Sequence, residues 1–226
     1  MEVYGEAWAS NYERLANAGI PGREGLYRLC RASFLDLSAN ARILVIGCGT
    51  GVELISLAHA FPEASFVGID PAQAMLAFCA GKVSAEGLSS RVHLQPVGLD
   101  GFAGEADFDA VTSILVSQHI PLDHQAAEFF RKIAALLKPG GRLYTADLHI
   151  AGGQNRTSML ALWHAQALMS GIEPAIVETT SDKFHTELRP RDEAVITDFL
   201  RSAGFVEILK PFSSLLYGAW SCRRPL

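Results

Sequence analysis

Three glycines at alternate positions, Gly47, Gly49 and Gly51, follow directly on the apolar run ILVI at residues 43–46. A strand that runs into such a turn brings a ligand against bare backbone, because glycine has no Cβ and tolerates positive φ. The dinucleotide pattern G-x-G-x-x-G/A is not met, since Val52 stands three positions after Gly49. The Lys-Ser/Thr pair of a phosphate-binding P-loop is also missing. The turn therefore predicts a ligand site of neither standard phosphate-binding form.

Acidic and apolar side chains after the next two predicted strands fit an adenosine. Asp70 ends the second strand and could accept hydrogen bonds from both ribose hydroxyls, while Pro71 opens a helix and Met75 lies one turn inside it, where it could cover adenine. Asp100, in the turn GLD after the third strand, could accept from the adenine amino group. Other interpretations stay open: Asp70 as a helix-start residue, Asp100 as an ordinary turn acid, and Met75 as core.

Polar residues after strands four and five are the candidates for catalysis. Ligands of open α/β sheets bind beyond the carboxyl ends of the strands, which selects Gln118 and His119 after strand four and Asp147 and His149 after strand five. Histidine titrates near neutral pH, so His119 or His149 could take a proton from a substrate. A purely structural histidine is the alternative. The pair Asp147 and His149 is too small for a metal site, and we expect no metal.

Aromatic residues could complete the site from two helices. Tyr4, Trp8 and Tyr12 are spaced four apart and share one face of a predicted amino-terminal helix, and Trp163 and His164 lie on a later helix. Such rings could hold a cationic ligand by cation–π attraction of about 0.5 to 2 kcal/mol each. Tyr12 also counts among the catalytic candidates, and core packing is the alternative interpretation for the whole group.

Alternating strands and helices must position these residues. From residue 42 to 148 near-continuous apolar strands alternate with helices, which predicts a parallel sheet covered on both faces. Two helices, over 6–19 and 22–37, precede the sheet, and a loop with one helix over 151–174 is expected to lie on top of it. A helix over 191–204 is then followed by two strands too close together for a parallel crossover, so the sheet should end in an antiparallel hairpin.

Bulk composition excludes several classes of function. The 226 residues are 49% hydrophobic, the net charge is −5, and the longest basic run is the pair at 223–224, which argues against nucleic-acid binding. No apolar run reaches the length of a membrane span, and the amino terminus does not resemble a signal peptide, so a cytoplasmic location is expected. The four scattered cysteines predict reduced thiols. The sequence leaves monomer and homodimer open.

Five motifs in order resemble class I S-adenosylmethionine-dependent methyltransferases: ILVIGCGTG, GIDPAQAML, GLD, FDAVTSILVSQHI and LLKPGGRLYTADL. The resemblance covers about residues 40–220. It implies a Rossmann-like, doubly wound α/β fold with strand order 3-2-1-4-5-7-6 and strand seven antiparallel, and S-adenosylmethionine as cofactor. It also implies roles for individual residues: Gly47, Cys48 and Gly49 at the methionyl part, Asp70 at the ribose, Met75 and Leu99 beside adenine, and the backbone of Leu115.

The layout of IPGREGLYRL and AGF is similar to the carboxy-S-adenosylmethionine synthase branch of that family, but its carboxylate-binding arginine has no counterpart here. We therefore predict a helical lid over 1–39, a methyltransferase domain over 40–226 and a cap insertion over about 152–190. The expected activity is methyl transfer to an N or O atom of a small molecule, with Gln118, Asp147, Trp163, His164, Tyr4 and Trp8 near that substrate. Two alternatives stay open: cyclisation of the cofactor to azetidine-2-carboxylate and methylthioadenosine, and a non-catalytic cofactor-binding partner.

Overall fold

A twisted sheet forms the centre of the computed structural model, which describes residues 6–188 and 190–226, with side chains from residue 11 onward. The strands are β1 Arg42–Ile46, β2 Ser65–Ile69, β3 Val92–Gln95, β4 Phe108–Ile114, β5 Leu137–Ile150, β6 Arg191–Asp192, β7 Val206–Ser214 and β8 Tyr217–Arg223. Their order is β3-β2-β1-β4-β5-β8-β7, with β6 paired to β5 off this path. β8 runs antiparallel to both of its neighbours, and the other pairs are parallel.

Helices cover both faces of this sheet and one of its ends. They are α1 Glu6–Gly19, α2 Arg23–Ala32, α3 Val52–Ala60, α4 Gln73–Ala85, α5 Asp123–Leu136, α6 Arg156–Met169, α7 Pro174–Thr186 and α8 Glu193–Ser202. Helices α2, α3 and α4 pack in one core cluster, and α5 and α8 pack in a second cluster on the other face. A third cluster joins α1, α6 and α7 over the ends of β5 and β8. The third cluster is the one that builds a roof over the carboxyl end of the sheet.

The sheet confirms the predicted fold class and strand order, with predicted strands six and seven corresponding to β7 and β8. Residues 43–46 are completely or almost completely buried, because helices cover both faces of a central parallel strand. The added strand, β6, falls where the sequence predicted the start of a helix. It has only two residues, too few to produce a pattern in the sequence.

The segment before β6 differs from the expected single helix. It contains α6 and also α7, which the sequence did not predict. Helix α7 begins at Pro174, a residue that suits the first turn because its missing N–H needs no partner there. Only Val177 and Phe184 of this helix are buried, so its apolar periodicity is sparse. Helix α5 ends at Leu136, because Leu137 already pairs with Phe108 in the sheet.

No helix in the part of the chain that the structure describes is both long and apolar enough to cross a membrane.

Candidate active site

A cavity of about 380 Å³ lies between the carboxyl ends of the central strands and the roof of α1, α6 and α7. Ten residues that the sequence proposed for the site line it together: Tyr12, Gly47, Gly49, Asp70, Pro71, Met75, Leu115, Gln118, His119 and Trp163. These residues come from five separate parts of the chain. The glycine turn and the segment after β4 therefore line the same cavity.

Glycine is favoured at the three positions of the turn for different structural reasons. All have positive φ, at 66° for Gly47, 52° for Gly49 and 85° for Gly51. A Cβ on Gly47 would lie 2.5 Å from Val116 Cγ2, and one on Gly51 would lie 2.6 Å from Cys79 Sγ, so both positions are closed by packing. A Cβ on Gly49 would make only ordinary contacts, the nearest at 3.5 Å from Met75 Cε. The space beside Gly49 is thus open enough for a ligand to approach the backbone.

Asp70 connects this turn to the next helix. Its Oδ2 accepts a hydrogen bond from the Gly49 amide at 2.9 Å, and its Oδ1 accepts one from the Ala72 amide at 2.8 Å. Burial raises the pKa of Asp70, and the two backbone hydrogen bonds oppose that shift. A carboxylate offers about four acceptor positions, so each oxygen keeps one for a hydroxyl in the cavity. These two acceptor positions fit the two hydroxyl groups of the ribose of an adenosine.

Gly49→Ala should fold with moderately reduced stability and lose affinity for S-adenosylhomocysteine by roughly tenfold or more, about 1.4 kcal/mol. An alanine at positive φ costs about 1–2 kcal/mol, and the new methyl would narrow the approach to the backbone. Calorimetric titration checks the affinity. Gly87→Ala is the matched control, because Gly87 has φ 68° with open space around it. Equal affinities in the two variants would contradict our placement of the turn against the ligand.

The cavity lining also includes a histidine and polar residues from the carboxyl-terminal part of α7. His119 ends a short 3-10 turn, Ser117–His119, that follows β4. The lining there includes Thr180, Lys183 and Glu187, and Lys183 Nζ lies 3.9 Å from Glu187 Oε2. Partial burial and the positive charge of Lys183 lower the pKa of His119 below its ordinary value, although Glu187 opposes this. This direction favours the neutral imidazole, the form that can accept a proton.

Apolar side chains form most of the remaining wall. They are Leu15, Ala16, Ile20, Leu148, Ile172, Ile176, Val177, Phe184 and Leu188. The Trp163 ring is held in place because its Nε1 donates to Gly19 O at 2.8 Å and to the Tyr217 hydroxyl at 3.1 Å. Leu115, at the end of β4, has φ 60°, a conformation that L-residues adopt mainly where surrounding contacts impose it. The result is a largely apolar chamber with one polar corner.

Two of the predicted catalytic and substrate residues lie off the cavity, on the opposite side of β5. Side chains alternate along a strand, so Leu148 faces the cavity while Asp147 and His149 face the layer of α5 and α8. His149 Nε2 lies 2.7 Å from Lys210 Nζ, and its ring meets Trp220 edge-on. This corrects the expectation that His149 contacts a substrate, because its side chain is completely enclosed among these partners.

Asp147 instead contacts the backbone of the turn that carries His119. Its Oδ2 accepts from Ser117 Oγ at 2.7 Å, and its Oδ1 accepts from the Gln118 amide at 2.9 Å. Burial raises the pKa of Asp147 to about 7, although these hydrogen bonds and the charge of Arg191 oppose the shift. Gln118 lines the cavity, and its Oε1 accepts from the Leu148 amide at 3.2 Å. Asp147 therefore supports the turn from the side of β5 that faces away from the cavity, and its side chain does not reach a substrate in the cavity.

Four further predicted residues do not line the cavity. Cys48 and Leu99 are buried in the core clusters beside it. Asp100 is an exposed acid, paired with Lys132 at 2.7 Å, which removes it from the adenine position expected for it. His164 lies with its Nδ1 3.1 Å from Ser181 Oγ. Tyr4 and the side chain of Trp8 fall outside the described residues.

The contribution of polar residues of α7 to the cavity was not predicted from the sequence. Thr180, Lys183 and Glu187 share one helix face by their spacing of three and four, but this signal can be used only once α7 itself is recognised. Within the described ranges, no group of three or more His, Cys, Asp or Glu side chains is arranged to hold a metal ion.

The chain is similar in sequence to known methyltransferases. A family model described as "Methyltransferase domain" matches residues 44–143. An uncharacterized methyltransferase of Emericella nidulans is 34% identical over 130 residues, which are 50% of this chain and 43% of that protein. Methyltransferase GfsG of Streptomyces halstedii is 32% identical over 144 residues, 63% of this chain and 49% of that protein. The chain thus spans about half the length, or less, of these curated relatives.

A solved structure with the same fold is that of Haemonchus contortus phosphoethanolamine N-methyltransferase 2, in complex with phosphomonomethylethanolamine and S-adenosylhomocysteine. Its TM-score is 0.71 at 18% identity, over 99% of this chain and 58% of that chain.

Proposed function

Because the chain belongs to the class I S-adenosylmethionine-dependent methyltransferase family, with S-adenosylmethionine as its cofactor, we propose that it methylates a hydroxyl oxygen of a small, largely apolar molecule. One observation carries the proposal. A single cavity runs from the glycine turn and Asp70 to the polar corner at His119 and Lys183, under an apolar roof.

The residues at the Asp70 end fit the cofactor. Gly47 and Gly49 present backbone to the cavity, Asp70 keeps acceptor positions for ribose hydroxyls, and Met75 offers an apolar surface for adenine. When bound, S-adenosylmethionine supplies an electrophilic methyl group on a positively charged sulfur. The protein's main contribution is then to hold the acceptor atom in line with that methyl group, which needs a shaped and rigid chamber.

His119 supplies the base for an acceptor that arrives protonated. Its lowered pKa favours the neutral imidazole, the form that can remove a proton. Lys183 beside it stabilises a deprotonated hydroxyl and disfavours a protonated amine in the same place, which favours oxygen over nitrogen. Burial raises the pKa of Tyr12, so its phenol stays protonated and serves as a hydrogen-bond donor and wall.

The roof favours apolar acceptors and shields part of the chamber from water, while His119 stays exposed at the polar corner. Helices α6 and α7 face the chamber with aliphatic and aromatic side chains, of which Trp163 and Phe184 are almost completely buried. Closing such a surface over the reacting groups strengthens their electrostatic interactions. We therefore assign the segment 152–190 as the cap and α1 as part of the lid.

Replacing Lys183 should move the acidic limb of the pH–rate profile to higher pH. Activity requires neutral His119, so the rate rises as pH increases through the pKa of that imidazole. Lys183→Met removes a charge that lowers this pKa, which returns toward its ordinary value. Steady-state rates from pH 5 to 9 check the shift. Lys132→Met is the control, because Lys132 is exposed and pairs with Asp100. If the acidic limb lies at the same pH in both variants, Lys183 does not influence the pKa of the base.

Helix α1 should become more protected when ligand binds. Leu15 and Ala16 line the cavity, and Glu13 accepts a hydrogen bond at 3.0 Å from Thr50 of the glycine turn. A ligand bound in the cavity would therefore add contacts to the face of α1 that lines the cavity. Hydrogen exchange across residues 6–19 should slow on addition of S-adenosylhomocysteine, with α8 as the internal reference. Equal exchange in the presence and absence of ligand would assign α1 to ordinary packing.

Methyl-labelled S-adenosylmethionine tests the reaction itself. We expect S-adenosylhomocysteine to form only when a pool of apolar hydroxyl compounds is added, with the label recovered as a methyl ether. Label recovered on nitrogen would replace the oxygen assignment. Methylthioadenosine formed without any acceptor would identify cyclisation of the cofactor instead. Binding without any turnover would identify a non-catalytic cofactor-binding protein.

A further inference from the structure

The short turn that carries His119 is held by a buried arginine. The Arg191 side chain is only 5% exposed, and its guanidinium group spans the turn. Nη1 donates to Ser117 O at 3.1 Å, and Nη2 donates to Ile120 O at 2.7 Å. Nε donates to Asp123 Oδ1 at 3.0 Å, at the first residue of α5. One planar group thus fixes both ends of residues 117–120 and the start of the following helix.

A buried carboxylate holds the same turn from β5. Asp147 is 1% exposed and accepts from the Ser117 hydroxyl and from the Gln118 amide. The side chain of Gln118 accepts in turn from the Leu148 amide. Buried polar networks in which the members are hydrogen-bonded make a structure rigid and specify a single conformation. Arg191 and Asp147 therefore leave the turn little freedom to move.

Arg191 also marks the point where the cap returns to the sheet. It opens β6, which pairs with the end of β5 through His149 and Arg191. The cap is tied to the same place, because Arg156 at the start of α6 donates to Phe184 O at 2.9 Å and to Pro190 O at 3.4 Å. The backbone that ends the cap and the backbone that carries His119 consequently share one anchor.

We propose that Arg191 and Asp147 are positioning residues that fix the orientation of His119, and that Arg191 links this orientation to the seating of the cap. The functional part of this inference rests on the proposed methyl transfer with His119 as base. Neither side chain lines the cavity, so neither is assigned a contact with substrate or cofactor.

The inference is tested with Arg191→Met, Arg191→Lys and Asp147→Asn. Asp147→Asn keeps the shape of the side chain while making one oxygen a donor, so it provides the test should Arg191→Met not fold. Arg201→Met is the control, since Arg201 is an exposed arginine paired with Asp198 on α8. Histidine ring signals are followed by NMR over a pH titration without any acceptor, and His119 is assigned by difference against His119→Phe.

We expect the His119 titration to shift or broaden in the three test variants and to stay unchanged in Arg201→Met. With an acceptor in hand, kcat should fall roughly 10- to 100-fold, as for a base displaced by about 1 Å, while affinity for S-adenosylhomocysteine changes little. A wild-type His119 titration in all the test variants that fold would overturn the inference. An altered titration with unchanged kcat would keep the positioning role and contradict His119 as the base, so the two claims fail separately.

Discussion

Asp70→Asn should weaken the binding of S-adenosylhomocysteine by roughly 100-fold or more, about 2.7 kcal/mol, and leave the protein folded. Hydrogen bonds to a charged group contribute about 1.5–3 kcal/mol each, and the carboxylate is placed to accept two from a ribose. An asparagine can keep only one of the two hydrogen bonds from the amides of Gly49 and Ala72, and its NH2 group offers the ligand a donor where the carboxylate offered an acceptor. Because Asp70 is already desolvated, loss of its charge should change thermal stability little.

Calorimetric titration and a melting curve on the same preparation check both halves of this prediction. Asp100→Asn is the matched control, the same substitution at an exposed acid that pairs with Lys132. It should retain wild-type affinity. Unchanged affinity in Asp70→Asn, or an equal loss in Asp100→Asn, would place the nucleoside elsewhere in the protein.

His119→Phe should lower kcat by about 10²- to 10⁴-fold, the range that general-base catalysis supplies, with little change in affinity for S-adenosylhomocysteine. Phenylalanine preserves the flat ring at the wall of the cavity and removes the proton acceptor. The acidic limb of the pH–rate profile should disappear with it. Steady-state kinetics with an identified acceptor, combined with calorimetry, separates the loss of turnover from a loss of binding.

His164→Phe is the control for this variant. The sequence placed His164 near the substrate, but in the structure it contacts Ser181 and does not line the cavity. It should retain most of the wild-type turnover. If His119→Phe retains wild-type kcat, the acceptor reaches the site already deprotonated or another group removes its proton.

The sheet and the glycine turn could be predicted because they rest on local patterns. Short, largely apolar segments mark the central strands, and the turn directly follows one of them, ILVI at residues 43–46. The position of Asp70 follows from the same pattern, since the ends of neighbouring parallel strands meet at one edge. These features need no knowledge of which elements pack on the sheet.

The face of β5 that the cap covers could not be predicted. Strand periodicity places Asp147 and His149 on one side and Leu148 on the other, but it does not say which side is the site. Polar residues suggested the wrong side here, because Asp147 is hydrogen-bonded to a buried turn and His149 Nε2 contacts Lys210 Nζ. The role of Arg191 could not be predicted from the sequence either, since its hydrogen-bond partners lie 68 to 74 residues away along the chain.

A crystal structure of the protein with S-adenosylhomocysteine tests the central claim most directly, that one cavity holds the cofactor and presents its reactive end to His119. We expect the ribose hydroxyls on Asp70, adenine against Met75, and the sulfur facing the chamber lined by His119 and Lys183. A ligand bound outside this cavity, or one whose sulfur points away from His119, would contradict it.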